Sequence, residues 1–133
     1  MNSLPGKIKE VTSEGNISLV KIDVAHIEFK SIVVETPQTT TYLKMGHRVK
    51  ILFKETEVII GHSTTHPISL QNRMLCKILA INKGKLLSEL QLSFGIHEVT
   101  AIITSHAVDQ LHLQPGHEVS AFVKTNEVML SPD

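Results

Sequence analysis

The sequence predicts an all-β protein made of two tandem small barrels, each with one short helical turn. Three observations lead to this prediction. Apolar and polar residues alternate along short segments, turn residues separate these segments, and the whole pattern occurs twice at an offset of 70 residues. Such alternation is typical of strands with one face in a core. A fixed period indicates a repeated structural unit.

The repeat is clearest near the end of each half, where residues 46–49 (Gly-His-Arg-Val) align with residues 116–119 (Gly-His-Glu-Val). In the same register, without a gap, 13 of the 63 overlapping positions are identical. We therefore predict a first domain at residues 1–61, a linker at residues 62–68 and a second domain at residues 69–133. The first domain is the degenerate copy, for reasons given below.

The predicted linker consists mostly of small, polar residues, with a glycine and a proline near its ends. Such a composition is typical of a domain boundary. It contains the spacing His62-x-x-x-His66. On a helix this spacing could bind a metal ion. Thr64, Thr65 and Pro67 disfavour a helix, so a solvated linker is the preferred interpretation.

One alternating segment in each half ends at a lysine. Residues 119–124 place Val, Ala and Val on one face and Ser, Phe and Lys124 on the other; residues 49–54 repeat the pattern and end at Lys54. We predict that the purely apolar face lies in the core. The other face mixes large apolar residues with lysine, which suits a surface that contacts another chain.

Turn signals at residues 13–16 and 82–85 separate further strands. The alternation predicts strands at residues 17–24, 26–34, 86–94 and 97–104. Residues 107–111 predict a single helical turn, and Pro115-Gly116 predicts a tight turn before the next strand. Four or five strands and one helical turn per half are typical of an OB-fold-like barrel, whose closure protects the strand edges.

Composition argues against several classes of partner. Lys and Arg number 13, as do Asp and Glu, so the chain lacks the basic excess expected for phosphate-backbone binding. Aromatic residues are only 4% of the chain, which disfavours base stacking. No apolar run approaches the roughly 18 residues of a membrane helix. We expect no nucleic-acid partner and no membrane partner.

The cysteine content favours a reducing compartment. Cys76 is the only cysteine, so no intramolecular disulfide can form. This usage is typical of a cytoplasmic protein. Cys76 lies in an apolar segment and is expected to belong to the core.

Three groups of residues could bind an anion. Thr104 and Ser105 lie where a strand gives way to the predicted helical turn, so their hydroxyls and nearby backbone N–H groups could face one anion. Capping of the turn is the alternative role. Lys124 and Lys54 occur at the same place in both halves, as binding residues or as ordinary surface lysines.

The third group begins the second half. Ser69, Gln71, Asn72 and Arg73 supply a hydroxyl, two amides and a guanidinium, all able to donate hydrogen bonds to an oxyanion. A polar lead-in to a strand is the alternative. No histidine is paired with a nucleophile at a recognisable spacing, so we do not expect an enzyme.

Three sequence patterns resemble the molybdate-binding Mop/TOBE domain. They are residues 100–105 (Thr-Ala-Ile-Ile-Thr-Ser), the run Leu111-x-Leu113-x-x-Gly116-x-x-Val119, and residues 122–128 (Phe-Val-Lys-Thr-Asn-Glu-Val). Residues 43–49 and 53–58 of the first half match more loosely. The two-copy arrangement resembles the di-Mop molbindins and is similar to the C-terminal half of molybdate-responsive transcription regulators.

The resemblance implies a protein that binds molybdate or tungstate as its ligand, at sites between copies or subunits. We therefore expect a homo-oligomer. The metal would be bound as an oxyanion, without direct coordination by side chains. The family's ligand residues correspond by position to Ser69, Asn72, Thr104, Lys124 and Thr125.

Departures from the family pattern affect both halves. Gln71 stands where the family has arginine and Arg73 where it has glutamine. Ala107 replaces a serine at the junction, although Ser105 lies nearby. The first half lacks more of the pattern, because Val34 and Pro37 occupy the positions of Thr104 and Ala107. Lys54 is its best remaining contributor.

Two functions follow from the resemblance. In the first, the chain stores, buffers or delivers molybdate or tungstate. In the second, the same pair of domains is an oxyanion-sensing module that acts on a transporter ATPase or a transcription regulator. The chain shows no helix-turn-helix segment, so direct gene regulation would need a separate protein.

Overall fold

The computed structural model describes residues 1–64 and 67–133, which form two five-stranded antiparallel sheets. The first half contributes β1 (Asn2–Glu14), β2 (Ile17–Val24), β3 (Ile27–Val33), β4 (Arg48–Phe53), a 3-10 turn (Glu55–Glu57) and β5 (Ile59–His62). The second half contributes β6 (Asn72–Lys83), β7 (Leu87–Phe94), β8 (His97–Thr104), α1 (Ser105–Gln110), β9 (Glu118–Val123) and β10 (Met129–Pro132). The predicted all-β class is confirmed.

The two halves exchange their last strands. The strand order is β10-β4-β1-β2-β3 in one sheet and β5-β9-β6-β7-β8 in the other. Leu130 of β10 therefore pairs with Ile51 of β4, and Ile60 of β5 pairs with Ala121 of β9. Each sheet takes four strands from one half and its fifth strand from the other.

This exchange changes what the predicted boundaries mean. The division into residues 1–61, 62–68 and 69–133 describes the duplicated sequence and stays a prediction. Neither segment contains all the strands of one sheet, because the fifth strand comes from the other half. Thr65 and His66 of the predicted linker lie outside the described residues, so the His62-x-x-x-His66 spacing stays a prediction.

The repeat extends to individual hydrogen bonds. Gly46 N–H donates to the Ile8 carbonyl at 2.7 Å, and Gly116 N–H donates to the Ile78 carbonyl at 2.7 Å. Both glycines have positive φ, +86° and +92°, which side-chain-bearing residues rarely adopt. The register of β1 and of β6 shifts directly after Ile8 and Ile78, so the same bulge bends each long strand.

Local sequence patterns predicted most hairpin strands well. β2 and β8 span the predicted residues, whereas β3 and β7 are shorter than predicted at their ends. The helix begins at Ser105, two residues earlier than predicted, because Thr104 caps it. The corresponding part of the first half contains Pro37 and forms non-helical turns; its helical turn is the 3-10 turn at Glu55–Glu57.

The core is mainly aliphatic, as its low aromatic content predicts. Phe29 and Phe53, both from the first half, are its fully buried aromatic residues among those described. The predicted core faces of residues 49–53 and 119–123 are buried, which confirms that part of the pattern. On the opposite face, Ser120 and Phe122 are also buried. Phe122 is covered by this chain's own β5, since a Cβ on Gly61 would lie 3.3 Å from its ring.

Burial gives Cys76 a measurable role in alkaline stability. Its side chain is buried, and burial raises the pKa of the thiol from 9.0 to about 12. Above pH 9 the unfolded chain releases this proton while the folded chain retains it, so stability falls by up to about 1.4 kcal/mol per pH unit. Urea unfolding should show that the Cys76→Ala variant loses less stability between pH 8 and pH 10 than the unmodified protein does. Equal slopes in both proteins would contradict the assignment.

Candidate functional site

Strand exchange creates two related junctions between the halves. In the Lys124 junction, the turn at residues 124–127 lies against residues 32–34 at the end of β3; Ile32 N–H donates to the Thr125 carbonyl at 3.1 Å. In the Lys54 junction, the turn at residues 54–57 packs against β8, which ends at Thr104. The candidate binding residues fall into these two places.

The Lys124 junction gathers most of the predicted polar residues. Lys124 directly follows Val123, the partner of Asn72 in the β6–β9 ladder, so Gln71 lies at the same end of the sheet. Lys124 and Gln71 are exposed, and Thr125 is half-buried. Lys124 makes no ion pair within residues 1–64 and 67–133. Its ammonium group is therefore available for an anionic ligand.

Asn72 has a structural role at this junction. Its Oδ1 accepts from Lys30 N–H at 2.7 Å, and its Nδ2 donates to the Lys30 carbonyl at 2.8 Å. Asn2 makes the same two bonds with Thr100, both at 2.8 Å. These two asparagines, 70 residues apart, join β6 to β3 and β1 to β8. The carboxamide of Asn72 is thus already engaged within the chain.

Arg73 and Ser69 differ in their contacts and in their exposure to solvent. Arg73 Nε donates to Ser120 Oγ at 2.9 Å, and its terminal nitrogen donates to the Ser63 carbonyl. The guanidinium is half-buried and ties the linker to β9. Ser69 is exposed, two residues before Gln71. Ser69 and Gln71 are therefore the more accessible members of the predicted segment.

The two hydroxyls of the Lys54 junction have different environments. Thr104 is exposed, and its Oγ1 accepts from Ala107 N–H at 3.1 Å, which caps α1. Its own hydroxyl hydrogen has no acceptor among the described residues. Ser105 is buried; it donates to the Gly84 carbonyl at 2.6 Å and lies 2.8 Å from Ser88 Oγ. Thr104 can contact a ligand, whereas Ser105 stabilises the turn.

Thr104 and Lys124 lie at opposite ends of their sheet. Lys124 follows Val123, the partner of Asn72 at the start of β6. Thr104 pairs with the first residue of β7, which adjoins the end of β6 at Lys83. The 12 residues of β6 correspond to roughly 40 Å of extended strand. Within one chain, Thr104 therefore cannot share a ligand with Lys124; the turn after Lys54 packs against its strand β8 instead.

The lysine of the Lys54 junction has acidic neighbours. Glu57 accepts the Lys54 backbone N–H at 2.9 Å, and Glu55 on the same turn pairs with the N-terminal ammonium group of Met1 at 2.5 Å. Lys54 is exposed and, like Lys124, makes no ion pair within the described ranges. The Lys124 junction has the weaker hydroxyl supply, because Val34 takes the place of Thr104. Each junction therefore holds part of the predicted set.

Sequence reasoning missed the strand exchange and the paired asparagine bonds. The identity of Asn2 and Asn72 at an offset of 70 was the signal that could have revealed the second feature. No group of three or more His, Cys, Asp or Glu residues that could hold a metal ion occurs in the part of the chain that the structure describes. None of its helices has the length and apolar character needed to span a bilayer.

Comparisons with known proteins match this architecture. The model of the TOBE domain matches residues 68–130. Molybdenum-pterin-binding protein 2 of Clostridium pasteurianum is 33% identical over 64 residues, 47% of this chain and 94% of that protein. Molybdenum-pterin-binding protein MopA of Rhodobacter capsulatus is 33% identical over 70 residues, 52% of this chain and 26% of that protein.

A solved structure matches almost the whole chain. It is that of the cytoplasmic molybdate-binding protein ModG with molybdate bound, with a TM-score of 0.91 and 24% identity. The match covers 99% of this chain and 96% of that one, and it shows that the two share a fold. The family follows from the clostridial match, which spans 94% of that relative at 33% identity. The chain belongs to the Mop/TOBE family of molybdenum-pterin-binding proteins.

Proposed function

We propose that this protein binds molybdate or tungstate in the cytoplasm and stores, buffers or delivers the anion without catalysing a reaction. The observation that carries the proposal is the state of Lys124. It is exposed, makes no ion pair among the described residues, and lies beside Thr125 and Gln71 in the half that matches the TOBE domain. Such a cation is free to pair with a dianion.

The chemistry of these groups suits a tetrahedral oxyanion. An ammonium group, hydroxyls and side-chain amides donate hydrogen bonds, and those that involve a charged partner are the stronger ones. Molybdate and tungstate have the same charge and nearly the same shape, so we expect both to bind. Sulfate carries the same charge but is smaller, so a site sized for the larger ions would bind it less well.

Calorimetric titration with molybdate, tungstate and sulfate tests the proposal. We expect micromolar binding of the first two anions and weaker binding of sulfate. Lys124→Gln should lower molybdate affinity by about 10–100-fold, since it removes one charge-assisted hydrogen bond. Lys44→Gln is the matched control, because Lys44 is an exposed lysine in the loop before β4. The proposal fails if none of the three anions binds at micromolar concentration.

A further inference from the structure

The turn that carries Lys124 is bonded to the first half of the chain at two points. Ser31 of β3 donates a hydrogen bond from its hydroxyl to the Val128 carbonyl at 2.7 Å. Ile32, the next residue of β3, donates its backbone N–H to the Thr125 carbonyl at 3.1 Å. Two adjacent residues of β3 therefore hold both ends of the segment that follows Lys124.

The bond from Ser31 is closed to solvent. The Ser31 side chain is completely buried, and Val128 is 3% exposed. Because water does not reach these two groups, no solvent molecule replaces the hydroxyl when it is removed. The hydroxyl of Ser31 therefore fixes the chain at Val128, directly after the turn at residues 124–127.

The equivalent turn in the first half is stabilised in a different way. At the offset of 70, Ala101 takes the place of Ser31 and has no hydroxyl to donate. The turn that begins at Lys54 uses its own side chain instead, since the Glu57 carboxylate accepts the Lys54 N–H at 2.9 Å. The two turns share a sequence position but differ in what holds them.

The carbonyl groups directly after the two lysines show the same difference. The Glu55 carbonyl accepts the N–H of Val58, within its own turn, at 3.5 Å. The Thr125 carbonyl accepts instead from Ile32 of β3, in the other half. The position of the turn after Lys124 therefore depends on β3, whereas the first-half turn uses bonds within itself.

We propose that Ser31 is a positioning residue for anion binding at Lys124. By fixing Val128, its hydroxyl holds the turn against β3 and so determines where the exposed ammonium group of Lys124 lies. The hydroxyl is buried and acts on a ligand only through the turn. A group that is already in place loses less conformational freedom when it binds. The role in binding rests on the proposed function, in which Lys124 contacts the oxyanion.

Ser31→Ala removes the hydroxyl without disturbing the packing of the strand. Alanine already occupies the equivalent position in the second half, where Ala101 is completely buried. Ile22→Val is the matched control, because it shortens a completely buried side chain in β2 and keeps the bond from Ser31. Both variants lose some stability. Only Ser31→Ala releases the turn.

Calorimetric titration with molybdate tests the role in binding, with and without Lys124→Gln. We expect Ser31→Ala to lower molybdate affinity about 3–10-fold when Lys124 is present. In the Lys124→Gln background the loss should be less than about twofold, because the positioned group is gone. Ile22→Val should leave the affinity unchanged. Equal losses in both backgrounds, or no loss in either, would overturn the proposal.

Amide hydrogen exchange in the absence of molybdate tests the positioning by itself. Nuclear magnetic resonance measures exchange at Ile32, whose N–H bonds the turn, against exchange at Ile78, which is bonded in the other sheet. We expect Ser31→Ala to accelerate exchange at Ile32 relative to Ile78 by about tenfold. Ile22→Val should leave this ratio unchanged. A ratio that Ser31→Ala does not change would show that Ser31 does not hold the turn.

The two proposals fail in different ways. A protein that never binds molybdate refutes the proposed function, and the exchange ratio then still decides whether Ser31 holds the turn. A protein that binds molybdate, but loses affinity equally in both backgrounds, supports the function and refutes the role of Ser31.

Discussion

Asn72→Ala is expected to lower the free energy of unfolding by about 2–6 kcal/mol, among the largest effects of any polar substitution in this chain. Asn72 is completely buried and bonds both the N–H and the carbonyl of Lys30. Alanine leaves both backbone groups without partners, and each such buried group costs roughly 1–3 kcal/mol. Urea denaturation of the two proteins measures the difference directly.

The controls for Asn72 come from the same chain. Asn126→Ala removes an exposed amide and should change stability by less than about 0.5 kcal/mol. Asn2→Ala removes the equivalent bonds to Thr100 and should cost nearly as much as Asn72→Ala. An Asn72→Ala protein as stable as Asn126→Ala would show that these bonds contribute little.

This expectation revises the role of one predicted ligand. The family pattern places Asn72 in the binding set, and the sequence around it is rich in donors. The structure engages both ends of its side chain in bonds that hold β6 to β3. Asn72→Ala should therefore lower both the molybdate affinity and the stability of the protein. Lys124→Gln should lower the molybdate affinity and leave the stability unchanged.

Strands with local partners were predictable from sequence. β2 and β8 each pair with the next strand in a hairpin, so alternation and turn residues nearby determine their bounds. The long strand β1 was not predicted. It contains Pro5 and Gly6, which usually interrupt strands. Gly6 is needed because a Cβ there would lie 2.6 Å from Ile22 Cγ2 of β2.

The exchange of β5 and β10 could not have been predicted from the sequence pattern. Ile60 and Leu130 occupy equivalent positions in the repeat, and both are partly buried apolar residues packed on the core. Either strand would place similar side chains on similar surfaces in its own half or in the other. The sequence pattern is therefore compatible with both arrangements, and only the structure distinguishes them.

The residues of the candidate site were predictable where they depend on local spacing, but their grouping in space was not. Local spacing singled out Thr104 and Ser105, with capping as the alternative to anion binding, and the recurring lysines Lys54 and Lys124; the structure places these residues at or next to strand ends. Their grouping depends on contacts between the halves, which local spacing does not report. The bonds that engage Arg73 and Ser105 depend on Ser120 and Gly84, each distant in sequence.

Two engineered disulfide variants test the strand exchange. Both carry a cysteine at position 131, and each has its second cysteine on a different candidate partner strand. In the exchanged fold, Ser131 of β10 pairs with Lys50 of β4. Without exchange, Ser131 would lie opposite Ser120 of β9, because Gly61, its equivalent in β5, occupies that position. Paired residues of antiparallel strands have Cα atoms about 4.5–5.5 Å apart, which a disulfide can span.

Both pairs are made in a Cys76→Ala background, which prevents bonding to the native thiol. After mild oxidation, non-reducing electrophoresis and peptide mass spectrometry measure the disulfide formed within single chains. We expect near-complete bonding in Lys50→Cys/Ser131→Cys and almost none in Ser120→Cys/Ser131→Cys.

This comparison is the most direct test of the account, because both junctions lie where the chain crosses from one sheet to the other before β5 and before β10. Efficient bonding between positions 50 and 131 within one chain is the predicted result. Bonding between positions 120 and 131 in its place would contradict it.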